Sequence, residues 1–414
     1  FKALDPFPID ATIRFLLISA VFGLPALFRQ GLYLPGLTTF GFLWLFQLWV
    51  IITYSWSLAG PAASSDLMEA IMLNTWVVVA GALIIAPNPE RVRRLIGLCI
   101  FFGGLVAAIG LVYYMQNGTV IVFERSYKLW SKPVGIGLIL GFLLLIHARF
   151  LTVKQMMGLT VVLLCVIYML VARGRGAFLA TAATCMIPLV IGPASNAVRR
   201  VVPISRPQFL AITAVVLAVG IVSYMYASGQ SIPTIGRLFQ AINTGTDAGL
   251  SVNRVVYTSA ALDYWLQAPI FGHGFGSFSP LLIGRYNLGA QPHNLSLAIL
   301  SEQGLIGFIL FGLFLWSVYR HVTYQKLRDH SVFLAVFMLS IWTLLQTVTD
   351  GHLANVRELF FFHALLCMLL PSTEQEEEDA YDEEEWDDEW DEAAEPEYAS
   401  DEALAPLRYN SFRD

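Results

Sequence analysis

Charged side chains are scarce in this 414-residue chain. They make up 14 % of it, against about 25 % in an ordinary soluble domain, while 56 % of the residues are hydrophobic. With a mean hydropathy of +0.63, that scarcity excludes a water-soluble enzyme. Cysteine is scarce too: Cys99, Cys165, Cys185 and Cys367 all lie inside apolar runs, without C-x-x-C spacing or a neighbouring histidine set. They read as small apolar packing residues rather than disulfides or metal ligands. No Walker sequence and no G-x-S-x-G elbow occurs, so ATP-driven transport and serine hydrolysis lack support. The string Gly272-His-Gly-Phe-Gly276 follows a segment closed by Pro269 instead of a strand, which argues against a Rossmann loop. The first apolar run is not followed by a small-residue cleavage site, and no removable signal peptide is expected.

The charges that are present are unevenly placed. From Glu374 to the end there are 19 acidic and 2 basic residues, a balance of −17, whereas Phe1 to Thr373 holds 12 acidic and 23 basic residues, a balance of +11. The overall −6 is therefore an average of two unlike parts. Charge and hydropathy together divide the chain into an expected membrane body at 1–371, with 227–292 as its long outer loop, and an acidic tail at 372–414. Such a tail cannot bury enough apolar surface to fold alone and is expected to be solvated and disordered. Its Tyr381, Trp386, Trp390 and Tyr398 leave open a second reading, a docking segment for a basic cytoplasmic partner. Anionic lipids would repel it, and nothing points to nucleic acid.

A bilayer-crossing helix needs about 20 mostly apolar residues. Candidate runs are 13–28, 37–58, 67–86, 95–115, 134–150, 156–171, 177–191, 209–226, 295–319, 332–348 and 359–370. The expected fold is all-α, a polytopic membrane protein of about 11–12 transmembrane helices. Alternate connections carry Arg29; Arg91, Arg93 and Arg94; Arg149 and Lys154; Arg199, Arg200 and Arg206; and Arg320, Lys326 and Arg328, opposed only by Glu90 and Asp329. Basic loops stay cytoplasmic, which puts the tail inside and 227–292 outside. Within that loop, 253–267 reads as a helix with Pro269 just past its end. A loop of this length is a candidate active-site lid.

Arginines on the outer side run against the positive-inside bias. Arg173 and Arg175 lie between two apolar runs, Arg125, Lys128 and Lys132 in another outer loop, and Arg237, Arg254 and Arg285 in the long one. For any one of them, snorkelling to lipid headgroups is an equal alternative. A cluster of forked permanent cations suits a diphosphate ligand. With only Asp247 and Asp263 in the long loop, no divalent metal site is expected there. His293 and Asn294 stand where that loop enters a membrane helix. A histidine there is suited to general-base work near neutral pH, the alternative being a structural role. On a continuous helix, Gly304 would fall about 20° and Gly307 about 40° from His293, and Glu302 about 180° away. That spacing predicts one close-packed face and a structural role for Glu302. His273 reads as part of a flexible glycine turn.

Three places together resemble the bacterial O-antigen ligase and polymerase superfamily. His293-Asn294, followed by Gly304 and Gly307, resembles its H-N-x9-G-x2-G signature. Arg175 with Leu179 resembles its R-x3-L element. Asn253-Arg254 through Trp265, Pro269 and Gly272 to Gly276 resembles its loop helix with a trailing glycine turn. The Arg-Gly-Arg repeat leaves Arg173 as the alternative to Arg175, which alone has leucine four residues on.

The resemblance implies a glycosyltransferase of the bacterial inner membrane with its site facing the periplasm, working by inverting transfer with no cofactor or metal. The donor would be an undecaprenyl-diphosphate-linked glycan and the acceptor a lipid A-core glycolipid. Arg175 and Arg254 would bind the diphosphate, with Arg237 and Arg173 nearby, and His293 would orient or deprotonate the acceptor hydroxyl beside Asn294. Ligase is the leading expectation, with a chain-extending polymerase or a protein glycosyltransferase as rivals in the same superfamily. An anionic-solute transporter is the alternative from another class. It predicts ionisable residues at mid-membrane and inverted repeats, neither of which the sequence presents.

Overall fold

In the computed structural model, the described residues are 11–30, 37–117, 127–146, 153–172, 174–191, 251–287, 290–348, 352–353 and 356–369. The apolar run at 209–226, the residues Arg173, Arg237 and Arg125, and the acidic tail lie outside them. The other ten runs all coincide with helix: α1 (Ala11–Gln30), α2 (Leu37–Tyr54), α3 (Ser64–Val79), α4 (Pro89–Asn117), α5 (Tyr127–Ile146), α6 (Val153–Val171), α7 (Arg175–Cys185) with its short continuation α8 (Ile187–Ile191), α11, α13 and α14. The last three span Leu295–Tyr319, Ser331–Gln346 and 357–369. Three further helices are α9 (Ser251–Gln267), α10 (Phe278–Ile283) and α12 (Tyr324–Asp329). No strand occurs among the described residues.

Gly60–Ile85, Pro89–Asn117 and Leu295–Tyr319 are each long and apolar enough to cross a bilayer. Exposed side chains such as Phe22, Phe28, Phe101 and Met115 would be a liability in water and are the ordinary lipid face of a polytopic membrane protein.

Local chemistry sets the helix ends. Pro89 opens α4 behind Asn88, whose Oδ1 accepts from the amides of Glu90 (3.0 Å) and Arg91 (3.2 Å), a capping arrangement that satisfies two otherwise orphan donors. Arg91 reaches back to the carbonyl of Ile84 (2.7 Å) at the end of a π-helical stretch, Ala80–Ile85, that prolongs α3. α4, α5 and α6 pack on one another around Ala107, Val134, Phe142, Cys165 and Tyr168. Small residues permit the approach: a Cβ on Gly103 would lie 2.6 Å from Gly137 Cα, the close contact that membrane helices use in place of a hydrophobic drive. The other face of α5 joins α2, α11, α13 and α14 in a second core that includes Phe46, Ile139, Phe314, Trp342 and Phe360.

α11 is not a continuous helix. At Gly304 the backbone turns to φ 66° and ψ −167°, which frees the carbonyls of Ser301, Glu302 and Gln303 and the amides of Leu305 and Ile306. Unpaired backbone groups are costly inside a bilayer, and here each has a partner. His273 and Gly274 donate to Ser301 and Glu302 (3.1 and 2.8 Å), Leu305 and Ile306 donate to Pro269 and Ile270 (2.9 and 3.3 Å), and the Trp49 indole donates to Gln303 (2.9 Å). The glycine turn is thus plugged into the break. A Cβ on Gly272 would lie 2.4 Å from the Glu302 carbonyl, and one on Gly274 2.6 Å from Ser57 Cα. The face predicted for His293, Gly304 and Gly307 on an unbroken helix does not form, because the break resets the helical phase. The turn is not flexible either: His273 Nε2 donates to the Tyr264 carbonyl (2.9 Å) while its own carbonyl accepts from the Ser277 hydroxyl (2.7 Å).

Candidate active site

His293 stands just outside α11 with φ 53°. Among the described residues it alone combines a positive φ with a side chain, a conformation that costs of order 1–3 kcal/mol and persists where its surroundings enforce it. The enforcement is visible on both sides. Asn294 is the N-cap, its side chain accepting from the Leu297 amide (3.2 Å), and the Leu295 amide donates to the Thr347 carbonyl (2.9 Å) at the end of α13. The imidazole lies against the ring of Tyr257 on α9, with centroids 6.3 Å apart and planes inclined by 29°.

Tyr257 also makes an edge contact with Phe278 (6.2 Å, 76°), which Tyr264 touches from two turns further along α9 (5.8 Å, 69°). Phe278 is fully buried, and its amide donates to Glu302 (3.3 Å), which also accepts from Gly276. Glu302 therefore anchors the start of α10 from beneath, the structural part expected of it. Tyr286 follows α10 and donates a hydrogen bond to Asp66, in the first turn of α3. Burial, then the Asp66 hydrogen bond and charge, then the charge of Glu302 hold the Tyr286 phenol well above its usual range, so it remains a donor.

The cations are placed by their helices. Arg254 is three residues before Tyr257 on α9, one turn away along the helix that touches His293. Arg175 opens α7 behind Gly174. Two contacts fix which end of the bundle that is. Tyr324 of α12 donates to the Ile191 carbonyl (2.7 Å), so α8 finishes at the end where α11 finishes. Midway, Trp342 Nε1 of α13 donates to Thr181 Oγ1 of α7 (2.9 Å). Arg175 is six residues before Thr181 and Thr347 five beyond Trp342, about 9 and 7.5 Å at a helical rise. The start of α7 thus shares the end of the bundle where Thr347 meets the His293 segment.

Lys132 departs from expectation. It lies within α5 instead of a loop and pairs with Glu358 at the start of α14 (3.3 Å), which makes it a helix-end tie. Among the described residues no three His, Cys, Asp or Glu side chains come together as a metal cradle. Tyr257, Tyr286 and Asp66 join this region only through contacts between distant segments, which no local pattern in the sequence marks.

The family model described as O-antigen ligase matches residues 159–312, from within α6 to past Gly307 in α11. No curated protein matches the chain. The matched stretch contains the start of α7, the α9 helix, the glycine turn, His293 and the broken half of α11, and the match supports a place in the O-antigen ligase and polymerase superfamily.

Proposed function

We propose that this chain is an O-antigen ligase, joining an undecaprenyl-diphosphate-linked glycan to a lipid A-core acceptor at the periplasmic face of the inner membrane. The family implies a membrane glycosyltransferase that handles lipid-linked glycans, and the arrangement of the site supports transfer from such a donor. The observation that carries it is His293, held in a strained backbone against α9 one turn from Arg254, at the end of the bundle where α7 begins with Arg175.

In this reading, Arg175 and Arg254 bind the donor diphosphate, with Arg237 and Arg173 as further cations. The acceptor hydroxyl attacks the anomeric carbon from the face opposite the diphosphate. His293 takes the hydroxyl proton, the new glycosidic bond forms with inversion, and the polyprenyl diphosphate leaves with the electron pair of the broken C–O bond. Preorganised charge at a leaving group is worth about 2.7–4 kcal/mol per donor. The sequence has no outer acidic doublet, and no step is routed through a metal. The tail is assigned to the cytoplasm.

The test is mass spectrometry of surface glycans and polyprenyl-linked intermediates in cells carrying His293→Ala, Arg175→Ala or Arg254→Ala. Each substitution is expected to cut transfer by about 10²–10³-fold, leaving uncapped core with long chains accumulating on the carrier. Single repeat units accumulating there would assign a polymerase instead. Unchanged glycans with altered solute uptake would end the glycosyltransferase reading.

A further inference from the structure

Arg254 and Tyr257 share one helix and do different things on it. Tyr257 is half-buried, and its ring has neighbours on two sides: it makes an edge contact with Phe278, which is buried, touched by Tyr264 and tied through its amide to Glu302. Its plane is inclined by only 29° to the imidazole of His293, with the centroids 6.3 Å apart. The backbone at His293 is left-handed, so the ring does not follow the direction that the helical phase of α11 would give it. A left-handed residue at the mouth of a loop needs a neighbouring surface to define where its side chain points, and Tyr257 supplies a flat one.

We infer that Tyr257 is a positioning residue for His293, and that α9 sets the imidazole from the same helix that carries the donor-binding Arg254. This rests on the role proposed above for His293. Its consequence is a division of labour within one helix. Loss of Arg254 weakens donor binding, whereas loss of the Tyr257 ring leaves both substrates bound and misaims the base. Misplacement of a reacting group by about 1 Å costs about 10²-fold in rate. The ring, not the phenolic hydroxyl, is the working part.

The experiment is steady-state transfer by the full-length protein in proteoliposomes, with a polyprenyl-diphosphate-linked glycan and a glycolipid acceptor, for Tyr257→Phe, Tyr257→Leu, His293→Ala and the Tyr257→Leu, His293→Ala double variant. Tyr257→Phe is expected to stay within about twofold of the parent, and Tyr257→Leu to lose about 10- to 100-fold in kcat with both KM values within about twofold. In the His293→Ala background Tyr257→Leu is expected to cost nothing further, the signature of two residues acting as one unit. Additive losses, or a leucine variant as fast as phenylalanine, would overturn the inference while leaving the role of His293 standing. Undiminished transfer by His293→Ala would sink both. Thermal unfolding in detergent is followed in parallel, with Tyr257→Gln as a second truncation. If both truncations lose the fold and not the rate, Tyr257 is a packing residue and the inference fails.

Discussion

Tyr286 and Asp66 are 220 residues apart in the chain, yet their hydrogen bond fastens the segment that leads to His293 onto the start of α3. Asp66 is buried, so Tyr286→Phe removes a donor from an acceptor that water cannot readily serve. The expected cost is about 1–3 kcal/mol, read as a lower unfolding temperature in detergent. The sign of its pH dependence follows from the raised phenol. A group whose folded value lies above its unfolded one, about 10 for tyrosine, contributes fully below that value and loses its contribution as the pH climbs through the folded one. The gap between the parent and Tyr286→Phe should therefore be flat from about pH 7 to 9 and close only in stronger alkali; a gap that closes on the way to pH 9 would refute the pairing. The sequence marks His293, Asn294, Arg175 and Arg254 as candidates through a short motif and an unfavoured charge. It does not mark Tyr257, Tyr286 and Asp66, since an aromatic or an acid that acts across a contact between distant segments has no local signature.

At the scale of elements, hydropathy located the helices and gave their order, while the interruption of α11 stayed hidden. Gly304 read as a small residue for helix packing when its task is to reach φ 66°. An alanine there would place Cβ 2.3 Å from the Ile270 carbonyl oxygen and 2.6 Å from the Gly272 amide nitrogen. Both are backbone atoms, so no side chain can swing aside. To this is added about 1–3 kcal/mol for a side chain at φ 66° and ψ −167°, a backbone region that essentially only glycine occupies. Gly304→Ala is expected to destabilise the protein by more than about 3 kcal/mol, and to lower folded yield in membranes. Gly312 lies on the same helix, and a methyl group added to it would meet nothing within 4 Å, so Gly312→Ala should be neutral within about 0.5 kcal/mol. Comparable folded yield for the two alanine variants would contradict the plugged break. The prediction of a flexible turn at His273 failed for the same reason: glycines read as freedom where they serve close backbone approach.

For the whole molecule, the scarcity and placement of charge were the most legible features. They announced a membrane body and a separate acidic end, and the all-helical architecture agrees with the first. Removing the chain after Ser372 would strip 19 acidic residues and turn the net charge from −6 to +11. If the tail is only a solvated appendage, transfer in native membranes should survive this truncation at near-parental levels. Its loss, with the protein still inserted, would favour the docking reading for Trp386 and Trp390. The break in α11 bears on biosynthesis as well. The backbone groups around Gly304 find their partners in residues 269–274 and in Trp49, all of which leave the ribosome before α11 does. The membrane helix that follows His293 is thus completed by chain made before it, and it satisfies its own backbone only once residues 269–274 lie beside it.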